Sequence, residues 1–233
     1  MREANQLKAS RGVICRQFFQ GLALQLTMVL PYVRRIEGVE KLRRGQNYLF
    51  VVNHVSLLDT LILGGIAWRT GLYPIMVLGD WKIWGASWLR RWLSGATAYL
   101  VERGKLNPGR VRDLQAYGRA GSQFQLIVFP EGTRGDGTTV LECQPGIYYI
   151  AQAAQLPIVP VFIANMQNVS TKQGRFHPIA GLRQVEVHYG EPIQPETYLG
   201  MQRPDFLDFI RRRIAVLQPE PRAVYLSSVR PAA

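Results

Sequence analysis

"NYLFVVNHVSLLDT", residues 47–60, changes character halfway along. An apolar run ends at Asn53 and His54, and a helix-like stretch over about 57–70 follows at once. A strand buried on both faces reads as a continuous apolar run, and a strand passing directly into a helix is the repeating unit of an α/β fold. Further along, the same kind of run recurs as "LYPIMVL" (72–78), "ATAYLVE" (96–102), "FQLIVFP" (124–130), "PIVPVFI" (157–163) and "QVEVHYG" (184–190). Helix-like stretches separate them at 82–94, 108–121 and 145–155, and a last one covers 204–217. This alternation predicts an α/β fold with a mixed, largely parallel sheet flanked by helices.

With 233 residues, 47% of them hydrophobic, the chain can bury one substantial core, which suits a single domain. The expected organisation is an N-terminal membrane-associating segment over 1–45, a domain over 46–218 and an irregular, proline-containing tail over 219–233. Residues 166–182 are polar and glycine-containing, so they read as a surface loop.

The formal charge of +12 is concentrated in short patches: Arg34 and Arg35, Lys41 to Arg44, Arg90 and Arg91, and Arg211 to Arg213. Such patches suit an anionic surface, either nucleic acid or bilayer headgroups. No helix-turn-helix, RNP-like or zinc pattern accompanies them, which argues against a nucleic-acid module. The two cysteines, Cys15 and Cys143, lie in unrelated contexts and read as free thiols, with no metal site expected. In the N-terminal segment, the 16 residues from Phe18 to Val33 fall short of the roughly 20 that cross hydrocarbon, and Gln20 and Gln25 interrupt them. An amphipathic interfacial helix is expected, with docking on the domain's own core as the other reading.

His54 stands at a strand exit, five residues before Asp59. On an ideal helix that offset separates side chains by about 140°, so His54 must lie at or before the helix start, with its ring folded back to a carboxylate one turn in. A His oriented in this way serves as a general base for a hydroxyl or thiol. The bland alternative is a His that satisfies a backbone group near a helix N-terminus. A second segment, "IVFPEGTRGDG" (127–137), ends a strand at Pro130 and releases Glu131, Gly132, Thr133 and Arg134 at the sheet's carboxyl edge, where open α/β sheets bind ligands. Gly132 permits close backbone approach, and Arg134 offers a planar fork for phosphate. "YLVERGK" (99–105) brings Arg103 to the equivalent edge of another strand.

These residues carry a resemblance. "NHVSLLD" resembles the NHxSxxD block of the glycerolipid acyltransferase family typified by lysophosphatidic acid acyltransferases, and "FPEGTR" matches that family's second signature letter for letter. "GATAYLVER" resembles its glycine-to-arginine block and "PIVPVFI" its fourth block. The four occur in the family's order over about residues 47–165.

The resemblance implies transfer of a fatty acyl group from a thioester donor, acyl-CoA or acyl carrier protein, to a lysophospholipid hydroxyl. The acceptor it favours is 1-acyl-glycerol 3-phosphate, with glycerol 3-phosphate or an amino-acid lysolipid as alternatives. It implies His54 as base, Asp59 as its orienting carboxylate, and Arg103, Glu131, Gly132, Thr133 and Arg134 as the acceptor site. Pro160 would belong to the block linked to acyl-chain or acceptor binding. It further implies a phospholipid membrane as partner, no nucleic acid, no cofactor beyond the acyl donor, and work at a membrane's cytoplasmic face. One departure is visible: where family members often carry a Lys after "FPEGTR", this chain reads "CQPG", with Gln144.

A thioester carbonyl is already electrophilic, so the chemistry asks for hydroxyl deprotonation, alignment and oxyanion stabilisation, with no metal or covalent nucleophile. Cys143 lacks an adjacent His and reads as inert. His177, in the polar loop, and His188, alternating on a strand, read as structural. Trp81, Trp84, Trp88 and Trp92 share one sector of about 80° on a helix. That stripe admits two readings, a core face or a membrane- or acyl-facing surface.

Overall fold

A computed structural model of the chain describes residues 11–80, 98–101 and 123–220. The expected helices at 82–94 and 108–121, the tryptophan stripe and Arg103 lie outside those residues, as does the tail beyond 220. The strands are β1 (Val33–Glu37), β2 (Tyr48–Val52), β3 (Ile75–Asp80), β4 (Ala98–Val101), β5 (Gln125–Val128), β6 (Ile158–Ala164) and β7 (Val185–Tyr189). They form one seven-stranded sheet in the order β1-β7-β6-β2-β5-β3-β4. β2 sits at its centre, parallel to β5 and β6, and every residue of it is buried. That position is why residues 48–52 are apolar on both faces. Among the described strands only β6 and β7 pair antiparallel, and β1 runs parallel to β7, so the sheet is mixed but largely parallel.

All six expected strands are present. β1 is a seventh, and it lies inside the segment expected to precede the domain; the sheet begins at Val33, not after residue 45. Its sequence, VRRIE, gives no apolar signal because an edge strand with one face in solvent has no need of one.

The helices are α1 (Arg11–Leu24), which continues through a π-helical turn (Gln25–Val29) into the single turn α2 (Leu30–Tyr32), then α3 (Leu58–Thr70), α4 (Gly146–Ala154), α5 (Pro195–Tyr198) and α6 (Arg203–Ala215). Strand alternation sends Phe50 and Val52 to one side of β2, where they pack with Ile62 and Ile66 of α3 and Val29 of the π turn. Leu49 and Val51 point to the other side, toward Ile147 of α4 and Phe206 of α6. The result is three layers, with a helical layer on each face of the sheet.

The N-terminal helix differs from an ordinary amphipathic one. Its buried positions include two amides, Gln20 and Gln25, while Phe18, Phe19, Leu26 and Leu30 are exposed. It docks closely on α3 because glycines remove side chains from the contact. A Cβ on Gly65 would stand 2.6 Å from Val29 Cγ2, and one on Gly21 would enter the Trp68 ring. No helix among the described residues is long and apolar enough to cross a membrane.

Candidate active site

The site grows from the carboxyl ends of β2 and β5. Asn53 follows β2 directly, and its side-chain amide copies a peptide group: Oδ1 accepts the Ile163 N–H at 2.7 Å and Nδ2 donates to the Ile163 carbonyl at 3.1 Å. This pair extends the β2–β6 ladder by one rung and fixes where the next residue leaves the sheet. On the other flank, Val51 is in register with Val128, so Glu131 arrives opposite His54. Glu131 Oε1 accepts the His54 N–H at 3.1 Å, and the Gly135 N–H donates to the His54 carbonyl at 2.6 Å. The turn carrying Gly132, Thr133 and Arg134 is thus tied to the His54 peptide groups at both ends.

The His54 ring stacks on Phe129, with centroids 4.1 Å apart, and Nδ1 lies 2.8 Å from Asp59 Oδ2. That oxygen also accepts the Val55 and Ser56 N–H groups, at 2.8 and 2.9 Å. Asp59 is fully buried in the first turn of α3, where the helix N-terminus favours a carboxylate. Ser56 Oγ accepts the Leu58 N–H and supports the same helix start. With Nδ1–H donated to Asp59, Nε2 carries the lone pair, and it has no protein partner among the described residues. The ring is therefore fixed in the tautomer and orientation of a base.

Burial above all pushes the Glu131 carboxyl up to about 7, against the opposing pull of the His54 amide. Gly132 takes a left-handed conformation at φ +63°, and Gln144 packs over it so closely that a Cβ there would stand 2.9 Å from Gln144 Cγ. Gly132 and Thr133 are exposed, and Arg134 is half-buried with no ion pair among the described residues. Cys143, on the segment that folds back over this turn, is buried, and its thiol is pushed up to about 12, which keeps it protonated and unreactive.

The structure brings together His54, Asp59, Glu131, Gly132, Thr133 and Arg134. Arg103 lies outside the described residues. Pro160 is not in the cluster: it lies mid-strand in β6, opposite Val51, its carbonyl accepting the Gly190 N–H at 2.8 Å. Sequence reasoning missed Asn53 as an anchor, Phe129 as the ring's stacking partner and Gly135 as a clamp. It also gave Glu131 to the acceptor, whereas the carboxylate is buried against the His54 backbone. The available signal was that His54 and Glu131 each follow directly on an apolar run, 47–53 and 124–130.

His188 is not isolated on its strand. Its Nδ1 lies 2.8 Å from Glu37 Oε2, and its Nε2 lies 3.5 Å from Glu186. The Glu37 contact cross-links β1 and β7, a structural role.

A sequence profile described as Acyltransferase matches residues 33–164. The 1-acyl-sn-glycerol-3-phosphate acyltransferase of Saccharomyces cerevisiae is 29% identical over 180 residues, covering 72% of this chain. The chain spans about half the length of that relative, 54%. The lyso-ornithine lipid O-acyltransferase of Brucella abortus is 26% identical over 186 residues, covering 68% of this chain and 67% of its own. The crystal structure of the 1-acyl-sn-glycerophosphate (LPA) acyltransferase PlsC from Thermotoga maritima superposes with a TM-score of 0.60 at 20% identity, covering 87% of this chain and 78% of the other. It shares the fold.

Proposed function

The chain belongs to the acyltransferase family, and from that premise we propose that it moves a fatty acyl group from acyl-CoA or acyl-ACP to the free hydroxyl of 1-acyl-glycerol 3-phosphate, giving phosphatidic acid. The observation that carries this reading is His54, fixed through Nδ1 by a fully buried Asp59 and presenting Nε2 beside a turn that holds Arg134, which has no ion pair among the described residues. Nε2 takes the proton of the acceptor hydroxyl as its oxygen attacks the thioester carbonyl. Asp59 stabilises the imidazolium that forms. The tetrahedral intermediate collapses with cleavage of the carbon–sulfur bond, and the imidazolium proton passes to the departing thiolate. Arg134, with Arg103, holds the acceptor phosphate as a bidentate partner.

A second acceptor rests on Gln144. It places an uncharged side chain over Gly132, and the Brucella relative is named for a lyso-ornithine lipid, so an amino-acid lysolipid is the alternative.

The proposed location is the cytoplasmic face of a membrane, reached without spanning it. The inverted helix supports this: an outward row of Phe18, Phe19, Leu26 and Leu30 is unfavourable in water and favourable at an acyl-chain boundary.

The test is a matrix of donors and acceptors on the full chain, with thiol release and lipid product both measured against His54→Ala. Transfer to a phosphate-bearing lysolipid that disappears in the variant is expected. Equal thiol release by a folded His54→Ala protein would remove His54 from the mechanism and overturn the proposal.

A further inference from the structure

A cavity of about 260 Å³ opens beside β1, α2 and the end of α3, and four arginines, Arg34, Arg35, Arg69 and Arg183, line it together with Leu30 and Val33. We propose that it is a headgroup site that holds the phosphate of an anionic phospholipid in the bilayer. The proposal rests on the membrane reading above and adds a defined lipid contact to it.

Arginines from three separate parts of the chain meet here for local reasons. A strand alternates its side chains, so Arg34 and Arg35 would ordinarily point to opposite faces. The register of β1 on β7 shifts between Val33 and Arg35, and this bulge re-aims the strand so that both arginines line the cavity. Arg183 is fixed by its own backbone: its N–H donates to the Pro31 carbonyl at 2.9 Å and its guanidinium to the Val33 carbonyl at 3.1 Å. Arg69 comes from the last turn of α3.

The charge is mostly uncompensated. Arg35 pairs with Glu37, which is shared with His188. Arg34, Arg69 and Arg183 have no ion pair among the described residues. Guanidinium groups gathered around one cavity match the several oxygens of a phosphate. A volume of this size exceeds the roughly 30 Å³ share of one water and leaves room for a phosphoester.

The surroundings match the rest of a lipid. Leu30, Phe176, Ile179 and Leu182 are exposed, and Ile179 is 82% accessible. The loop that carries the last three is joined to α2 by the Arg183–Pro31 hydrogen bond and by the edge contact of Phe176 on Tyr32, with centroids 5.7 Å apart. Because β7 opposes β6, the amino ends of β7 and β1 lie at the edge where β2 releases His54. The part of the cavity lined by Arg34 and Arg183 therefore lies toward the sheet edge that carries His54, and Arg69 reaches it from the far end of α3.

The experiment uses the full chain and co-sedimentation with vesicles of phosphatidylcholine alone or with phosphatidylglycerol added, at matched ionic strength. Wild type, Arg34→Ala/Arg69→Ala, Arg34→Lys/Arg69→Lys and the equal-charge control Arg203→Ala/Arg213→Ala on α6 are compared, with Tm confirming the fold of each. We expect the pocket alanine pair to lose about tenfold in affinity for anionic vesicles, the control to change by less than about threefold, and neutral-vesicle binding to persist. We expect the lysine pair to lose about threefold or more despite unchanged charge, because the planar fork is gone. A lysine pair equal to wild type would show diffuse attraction without a site and overturn the proposal. So would arginine-dependent binding of inorganic phosphate with no arginine-dependent preference for anionic vesicles. If wild type binds neither vesicle, the membrane reading fails and the pocket falls with it.

Discussion

His54 and Glu131 stand at the same height on neighbouring parallel strands, and the carboxylate of the second accepts the backbone N–H of the first at 3.1 Å. Nothing near either residue in sequence requires this. It follows from the parallel register of β2 and β5, which sets Val51 opposite Val128. The acidic residue of the "FPEGTR" turn therefore holds the His54 main chain in place, and the arginine three residues on has no ion pair among the described residues.

The first expected outcome concerns pH. The folded pKa of Glu131, about 7, lies above its ordinary 4.5, so the fold favours the neutral acid. Its contribution to stability is fully present below about 4.5 and is lost as pH rises through about 7. Between pH 4.5 and 8, wild type should lose on the order of 1–3 kcal/mol relative to Glu131→Gln. Urea midpoints of both proteins at the two ends of that range check it, and parallel behaviour would place the titrating group elsewhere.

Substitutions at His54 and Asp59 should separate activity from stability. His54→Ala should lower kcat by about two to four decades with Tm little changed. Asp59→Ala also strips the acceptor from two buried amides, so it should lose about 2–4 kcal/mol of stability along with activity. Asp59→Asn keeps an acceptor oxygen and should spare stability while remaining severe in kcat. Denaturation curves beside turnover numbers distinguish the three.

Asn53→Ala leaves the Ile163 N–H and C=O buried without partners, a loss of about 2–4 kcal/mol. Because it releases the residue before the base, kcat should fall further than the KM of either substrate changes. Steady-state kinetics at a temperature where the variant is folded measures this, and an effect confined to KM would argue against an anchoring role.

Two glycines should respond in a fixed order. Gly132→Ala meets a left-handed φ and a movable Gln144 side chain, a cost of about 1–2 kcal/mol. Gly38→Ala meets a left-handed φ and the rigid Tyr189 carbonyl, so it should be the more destabilising of the two. Thermal melts rank them, and the reverse order would mean the β1–β7 junction yields easily.

Arg134→Ala should raise the KM of a phosphate-bearing acceptor at least tenfold and leave the donor's KM little changed, with Arg134→Lys only a partial rescue. An equal loss with a phosphate-free acceptor would remove the phosphate contact from its role.

The sequence by itself determined what is local or periodic. Continuous apolar runs marked the buried strands, and the five-residue step from His54 to Asp59 marked a ring folding back onto the first turn of a helix, because both span less than one strand–turn–helix unit. Tertiary structure alone decided the relations between segments that are distant in the chain. Strand register joined Glu131 to His54 across 77 residues and Asn53 to Ile163 across 110. The edge strand Val33–Glu37 gave no apolar signal, since its hydrogen bonds come from β7 and one of its faces meets solvent. The helix before it turned its amides inward and its phenylalanines outward, and a bulge aimed Arg34 and Arg35 into a cavity that Arg69 and Arg183 also line. Each of these depends on which surface packs against which, and a one-dimensional pattern of residue types does not encode that when the packed partner lies far away in the chain.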